Sequence, residues 1–192
     1  MDLGKGRKKR VSKAEWLEAA LNALERDGID GVKIERLART LGIAKSGFYW
    51  HFRDRLDLLD ELLKYWDEEF TGIIAANPEI REMPARERLR TIMELVLEHD
   101  LSRYDSAIEA WARCDPRAAR VFRRVYRNRL KFLRQAFRDL GLGDEEATMR
   151  GRLFVVNESF QRNLLHTESK ASLRRLTERR LDLYTRPERP SS

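Results

Sequence analysis

Apolar residues recur at three- and four-residue intervals along almost the whole chain, a spacing that favours helices. No sustained alternating run rich in Val, Ile, Thr and aromatics reads as a strand, so the fold class is all-α, with about nine helices expected. At 192 residues, 42% of them hydrophobic, the chain is long enough to bury a core. Charged residues break every apolar run before the roughly 18 apolar residues of a membrane span, so no membrane partner is expected. The single cysteine, Cys114, excludes an internal disulfide and a multi-cysteine metal site. With no long apolar leader after Met1, the expected location is cytoplasmic.

Charge is unevenly distributed. The overall balance is +7, made of +5 over residues 1–53, −7 over 54–100 and +9 over 101–192. A basic head before an acidic segment suggests regions with different partners, although neighbouring opposite charges also pair on one surface.

Helix signals are dense at the start. Ser12 with Glu15 forms a capping box for a helix carrying Leu17, Ala20, Leu21 and Leu24, which stops at Gly28. Ile34, Leu37, Ala38 and Leu41 mark a short second helix ending at Gly42. A third short helix is expected from Lys45 to Phe52, with Phe48 and Phe52 inward. Asp54 then caps a long helix extending to Ala76, where Asn77-Pro78 breaks it. Further helices are expected over 85–99, 103–113, 117–140, 144–166 and 169–184, with a frayed tail over 187–192.

Residues 34–52 have the parts of a helix-turn-helix: small Ala38 at the crossing, Gly42 in the turn, Ile43 between the helices, and Lys45, Ser46, Tyr49, Trp50 and His51 left to face outward. On their own these residues also fit a plain three-helix unit, with Tyr49 and Trp50 partly in the core, His51 on the surface and Lys45 a solvated charge. The stretch IERLARTLGIAKSGFYWHFRDRLDLLDELL resembles the signature of TetR/AcrR-type transcriptional regulators, with Gly42, Ile43, Phe48, Tyr49, His51, Phe52, Leu58 and Leu59 in register.

That resemblance implies a DNA-binding domain over 1–53 and a helical linker, ligand-binding and dimerisation domain over 54–186. It implies double-stranded operator DNA as partner, a homodimer, a small hydrophobic or aromatic effector, and a repressor that the effector releases. A constitutive DNA-binding regulator without an effector is the alternative. Tyr49 and His51 would approach phosphates, Lys45, Ser46 and Gly47 would face base edges and backbone, and Lys33 and Arg55 would hold phosphate. Lys33, Ala44 and Gly47 depart from the Thr, Ser and Thr common in the family, which leaves base readout open. The arm residues Lys5, Arg7, Lys8, Lys9 and Arg10 either contact a polyanion or solubilise the chain.

In the remainder, Met149, Leu153, Val156, Phe160 and Leu164, with Leu173, Leu176, Leu181 and Tyr184, form apolar seams suited to a dimer interface or to the monomer core. Trp66, Phe70, Met93, Tyr104, Trp111, Cys114 and Phe154 offer walls for a ligand pocket, or ordinary core packing. Arg117, Arg120, Arg124, Arg127, Lys131, Arg134 and Arg138 share one helix face and read as a solvated, partly paired stripe. His51, His99 and His166 lie in separate helices without ligand spacing, and no Gly-rich phosphate loop is present. No catalytic constellation, metal or cofactor is expected, and the chain does not read as an enzyme. A helical enzyme or interaction module with a vestigial head is a third reading.

Overall fold

The computed structural model describes residues 10–164 and 169–187, and among them it contains ten α-helices and no strand. The arm residues Lys5, Arg7, Lys8 and Lys9, His166, and the tail beyond 187 lie outside the described residues, as does the side chain of Leu164. The chain divides into two compact units, one ending at Tyr65 and the other beginning at Trp66.

The first unit starts with α1 (Lys13–Asp27), and its capping box forms as the sequence indicates. The Glu15 amide donates to the Ser12 hydroxyl at 3.2 Å and the Ser12 amide to the Glu15 carboxylate at 2.7 Å. Two of the orphan amide donors of the first turn are thereby satisfied. After a 3₁₀ turn at Ile29–Gly31, α2 (Ile34–Leu41) ends on Gly42 at φ 69° and ψ 32°. That left-handed conformation lets the chain reverse without the steric cost a Cβ would bring.

The expected third α-helix is instead a 3₁₀ segment, Lys45–Trp50. Its N-cap, Ala44, has no side chain able to accept an amide, and Gly47 sits within it, so neither end nor middle favours an α-turn. Phe48 and Phe52 still face inward, 5.1 Å apart between ring centroids, with Trp16 edge-on to Phe48 at 5.4 Å. Each buried aromatic of this kind contributes about 1.5–3 kcal/mol through burial. Lys13 reaches from α1 to Glu61 at 2.5 Å, and the Tyr65 hydroxyl donates to Glu18 at 3.3 Å. These contacts hold α1 to α3 (Arg55–Asp67), whose first turn is capped by Asp54 accepting from the Asp57 amide at 2.9 Å.

The helix expected to run unbroken to Ala76 changes form. α3 gives way to a π-helical turn at Glu68–Gly72 and a short α4 (Ile73–Ala75). Thr71 and Gly72 have low helix propensity, and a wider turn is accommodated there. The Asn77-Pro78 break also begins α5 (Pro78–Glu82), with Asn77 accepting from the Glu79 amide and Pro78 in the first turn. The dipeptide that stops one helix therefore starts another.

The second unit is completed by α6 (Ala85–Glu98), α7 (Asp105–Ala112), α8 (Pro116–Asp139), α9 (Asp144–Leu164) and α10 (Lys170–Thr185). α8 packs on α7 and α9, and α10 packs on α6. Met93, Leu133, Phe137, Phe154 and Leu181 lie at the centre of its core. Among the described residues no helix is long and apolar enough to cross a membrane.

Candidate nucleic-acid interface and interior cavity

The 3₁₀ segment of the head separates two kinds of side chain. Phe48 is fully buried, whereas its neighbours Tyr49 and Trp50 are 55% and 86% exposed. Lys33, Lys45 and Ser46 are also exposed. The Lys45 ammonium donates to Glu35 on α2 at 2.5 Å. That hydrogen bond holds the Glu35 carboxyl below its ordinary range and raises the Lys45 ammonium. Tyr49 adds to the rise at Lys45, and Lys33 also favours the Glu35 carboxylate, so Lys33, Glu35, Lys45 and Tyr49 interact electrostatically. Gly47 is half-buried, and a Cβ there would lie 3.1 Å from Ile43 Cδ1. The threonine that the resemblance leads one to expect would require the tip of the Ile43 side chain to give by a few tenths of an ångström.

Two residues assigned to phosphate have other occupations. Arg55 donates through Nε to the Val32 carbonyl at 2.7 Å and through a terminal nitrogen to the Ile29 carbonyl at 2.8 Å. These bonds tie the start of α3 to the loop before α2, a structural role beside the phosphate contact that the resemblance implies. The His51 Nε2 lies 2.8 Å from the Val11 carbonyl, so this imidazole nitrogen anchors the chain entering α1. Sequence spacing gave no sign of either bond, because the partners lie 23 to 40 positions away.

The second unit holds a partly open cavity of about 80 Å³ with a largely apolar wall. Of the proposed pocket residues, Phe70 and Phe154 line it. Tyr104 packs edge-on against Phe70 at 5.1 Å, Met93 lies in the core, and Trp111 donates to Asp115 at 3.2 Å. Cys114 is exposed and outside the lining, which corrects its placement.

Sequence reading missed the cavity's charged groups, Asp105, Arg129 and Glu158. Asp105, with no exposed surface, accepts from Trp66 Nε1 at 3.1 Å, from the Tyr126 hydroxyl at 3.2 Å and from Arg129 at 2.5 Å. The Arg129 guanidinium also stands over the Trp66 and Tyr126 rings, 5.7 and 5.0 Å from their centroids. Trp66 thus supports this cluster from behind the lining. Its indole and the aspartate, 39 positions apart, carried no shared motif. Among the described residues, no group of three or more His, Cys, Asp or Glu side chains is placed to hold a metal.

α9 carries apolar side chains on two faces. Phe154 and Val155 are buried, while Met149, Leu153 and Val156 are about half exposed. Phe160 is half-buried, its ring 6.3 Å from that of Tyr126. On α10, Leu176 and Leu183 are exposed, whereas Leu173 and Leu181 are buried. Leu173 therefore packs in this unit's own interior, whereas Leu176 and Leu183 stay exposed on α10. Of the arginine stripe on α8, Arg117 pairs with Asp115, Arg124 with Asp67, and Arg134 and Arg138 with Asp144.

The family pattern described as bacterial regulatory proteins, tetR family, matches residues 17–62. The tetracycline repressor protein class A from transposon 1721 of Escherichia coli is 44% identical over 46 residues, 24% of this chain and 21% of that protein. The chain thus matches about a fifth of the length of this curated relative. Solved structures extend the likeness in fold. The regulator FadR from Bacillus subtilis, in complex with stearoyl-CoA, gives a TM-score of 0.66 at 15% identity, covering 91% of this chain and 98% of its own. A transcriptional regulator from Saccharomonospora viridis, in complex with choline, gives 0.67 at 21% identity, covering 90% and 94%.

Proposed function

The chain belongs, through its head, to the TetR/AcrR-type regulator family, and from that premise we propose that it is a cytoplasmic, homodimeric, DNA-binding transcriptional repressor released from a palindromic operator by a small molecule. One observation carries the reading: Tyr49 and Trp50 are held out in solvent directly beside the buried Phe48. Large aromatics at such exposure serve little in a folded monomer, whereas stacking and phosphate contacts use them. Lys33, Lys45 and Ser46 supply donors on the same helix-turn-helix elements, and Arg55 and His51 brace them.

The dimer reading is supported by the outer apolar face of Met149, Leu153 and Val156 on α9 and Leu176 and Leu183 on α10. Paired two-fold with its copy, that face would leave water. The effector reading is supported by the cavity, and by the choline and stearoyl-CoA complexes of fold neighbours. Phe70 and Ile74, on the chain continuing from α3, line the cavity. A ligand there would press on the π turn at Glu68–Gly72 and so bias the helix leading from the head.

The experiment is selection of DNA bound by the full chain from fragmented genomic DNA of its source, followed by binding of the recovered site to wild type and Glu35→Gln. Removing the carboxylate that holds Lys45 should strengthen binding several-fold and steepen its salt dependence. Recovery of no DNA at low salt would refute the reading.

A further inference from the structure

We propose that the cavity of the second unit takes a compact hydrophobic amine, its protonated nitrogen compensating the Glu158 carboxylate while its alkyl body packs against Phe70, Phe132 and Phe154. The inference rests on reading this unit as the effector-binding part of the chain.

The polar groups around the cavity are of two kinds. Asp105 and Arg129 form a closed pair: the aspartate receives the indole, the phenol and the guanidinium, and Arg129 donates further to Ser159 at 3.1 Å. Neither charge is left to attract a ligand of opposite sign. Glu158 differs. Its side chain is 5% exposed, and one carboxylate oxygen accepts from Gln161 at 3.0 Å. Among the described residues the other oxygen, Oε1, has no hydrogen-bond partner. Arg180 Nη1 stands 3.2 Å from Oε1 but directs its hydrogen bonds to Asn157 and Gln161. The attraction of Arg180 is therefore present but undirected.

Burial outweighs that attraction and pushes the Glu158 carboxyl up to about 7. An acid raised in spite of an adjacent guanidinium has a negative charge that its surroundings stabilise poorly. A second cation with N–H donors supplies what is missing. An anionic head would meet Glu158 and Asp105 across the cavity while Arg129 is already neutralised, so a carboxylate is the disfavoured ligand. The volume, about 80 Å³, sets the size. A dry cavity of about 150 Å³ holds benzene, so a short branched alkyl chain suits this one better than a ring.

The test is calorimetric titration of the full chain, without DNA, with isobutylamine, isobutanol and isobutyrate. At pH 8 isobutylamine should bind at least tenfold more tightly than isobutanol, and isobutyrate should bind weakest. Glu158→Gln should reduce amine affinity at least tenfold and leave the alcohol unchanged, with its melting curve reporting that it folds. A readout without substitution is the wild-type amine affinity between pH 8 and pH 6, which should fall as Glu158 takes up a proton, while alcohol affinity stays level. Among the described residues the charged and titratable groups around Glu158 are Arg180 and Tyr184 on α10, Arg129 on α8 and Asp105 on α7. Tyr184 is pushed up to about 12, first by burial, and stays neutral across that window. Isobutyrate binding most tightly, no binding of the amine, or equal amine affinity at both pH values would overturn the proposal. If isobutylamine binds as described but does not release DNA, the regulatory reading fails and the amine site stands.

Discussion

The Arg129 guanidinium and the Asp105 carboxylate, 24 positions apart, meet at 2.5 Å where the aspartate has no contact with solvent. A buried ion pair is expensive to form and more expensive to break, because either partner alone is an uncompensated charge. Asp105→Ala should therefore destabilise the protein by about 3–5 kcal/mol in urea unfolding. Joining Asp105→Leu with Arg129→Met should recover most of that loss. A single substitution costing under ~1 kcal/mol would contradict this view of the pair.

Gly42 terminates α2 at φ 69°, and a Cβ placed there meets nothing within 4 Å. The cost of Gly42→Ala is thus conformational rather than steric crowding. A loss of about 1 kcal/mol is expected in thermal or chemical unfolding. An unchanged midpoint would mean that the turn relaxes to another conformation.

Arg55 is half-buried with two guanidinium nitrogens on carbonyls. Arg55→Ala should lower head stability by about 1.5–3 kcal/mol, the range for hydrogen bonds to charged groups. A variant that melts like wild type yet loses DNA affinity would favour the phosphate role.

Glu158 also gives stability a pH signature. Its carboxyl is raised from 4.5 to about 7 in the folded chain, so between those values the native state binds more protons than the unfolded one. Stability from this group is complete below the unfolded value and is lost as pH rises through 7. Glu158→Gln removes the dependence. Relative to wild type, the variant should gain about 2–3 kcal/mol in urea unfolding on going from pH 5 to pH 8, since each pH unit over which the two states differ by one proton is worth about 1.4 kcal/mol. A difference independent of pH would contradict the burial argument.

Much of the fold could be read from local sequence. Ser12 with Glu15, Gly42, and Asp115 before Pro116 are signals written within four residues, and each caps or ends the helix it marks. Pairings between distant residues could not. Arg55 looks like any basic residue at a helix start until the carbonyls of Ile29 and Val32 come to it. The charged cluster of Asp105 and Arg129 was hidden for the same reason, since single charges on amphipathic helices usually read as solvated. On α10, periodicity marks Leu173, Leu176 and Leu183 alike as apolar, and only packing separates the buried first from the exposed others.

DNA binding by the exposed edge of the Lys45–Trp50 segment is the proposal on which the regulatory reading turns. The most direct measurement is fluorescence anisotropy of the recovered DNA site with wild type and Tyr49→Ala, alongside thermal melts. At least tenfold weaker binding is expected for the variant with an unchanged melting temperature, because Tyr49 is more than half exposed. Equal affinity for the two proteins would contradict the proposal.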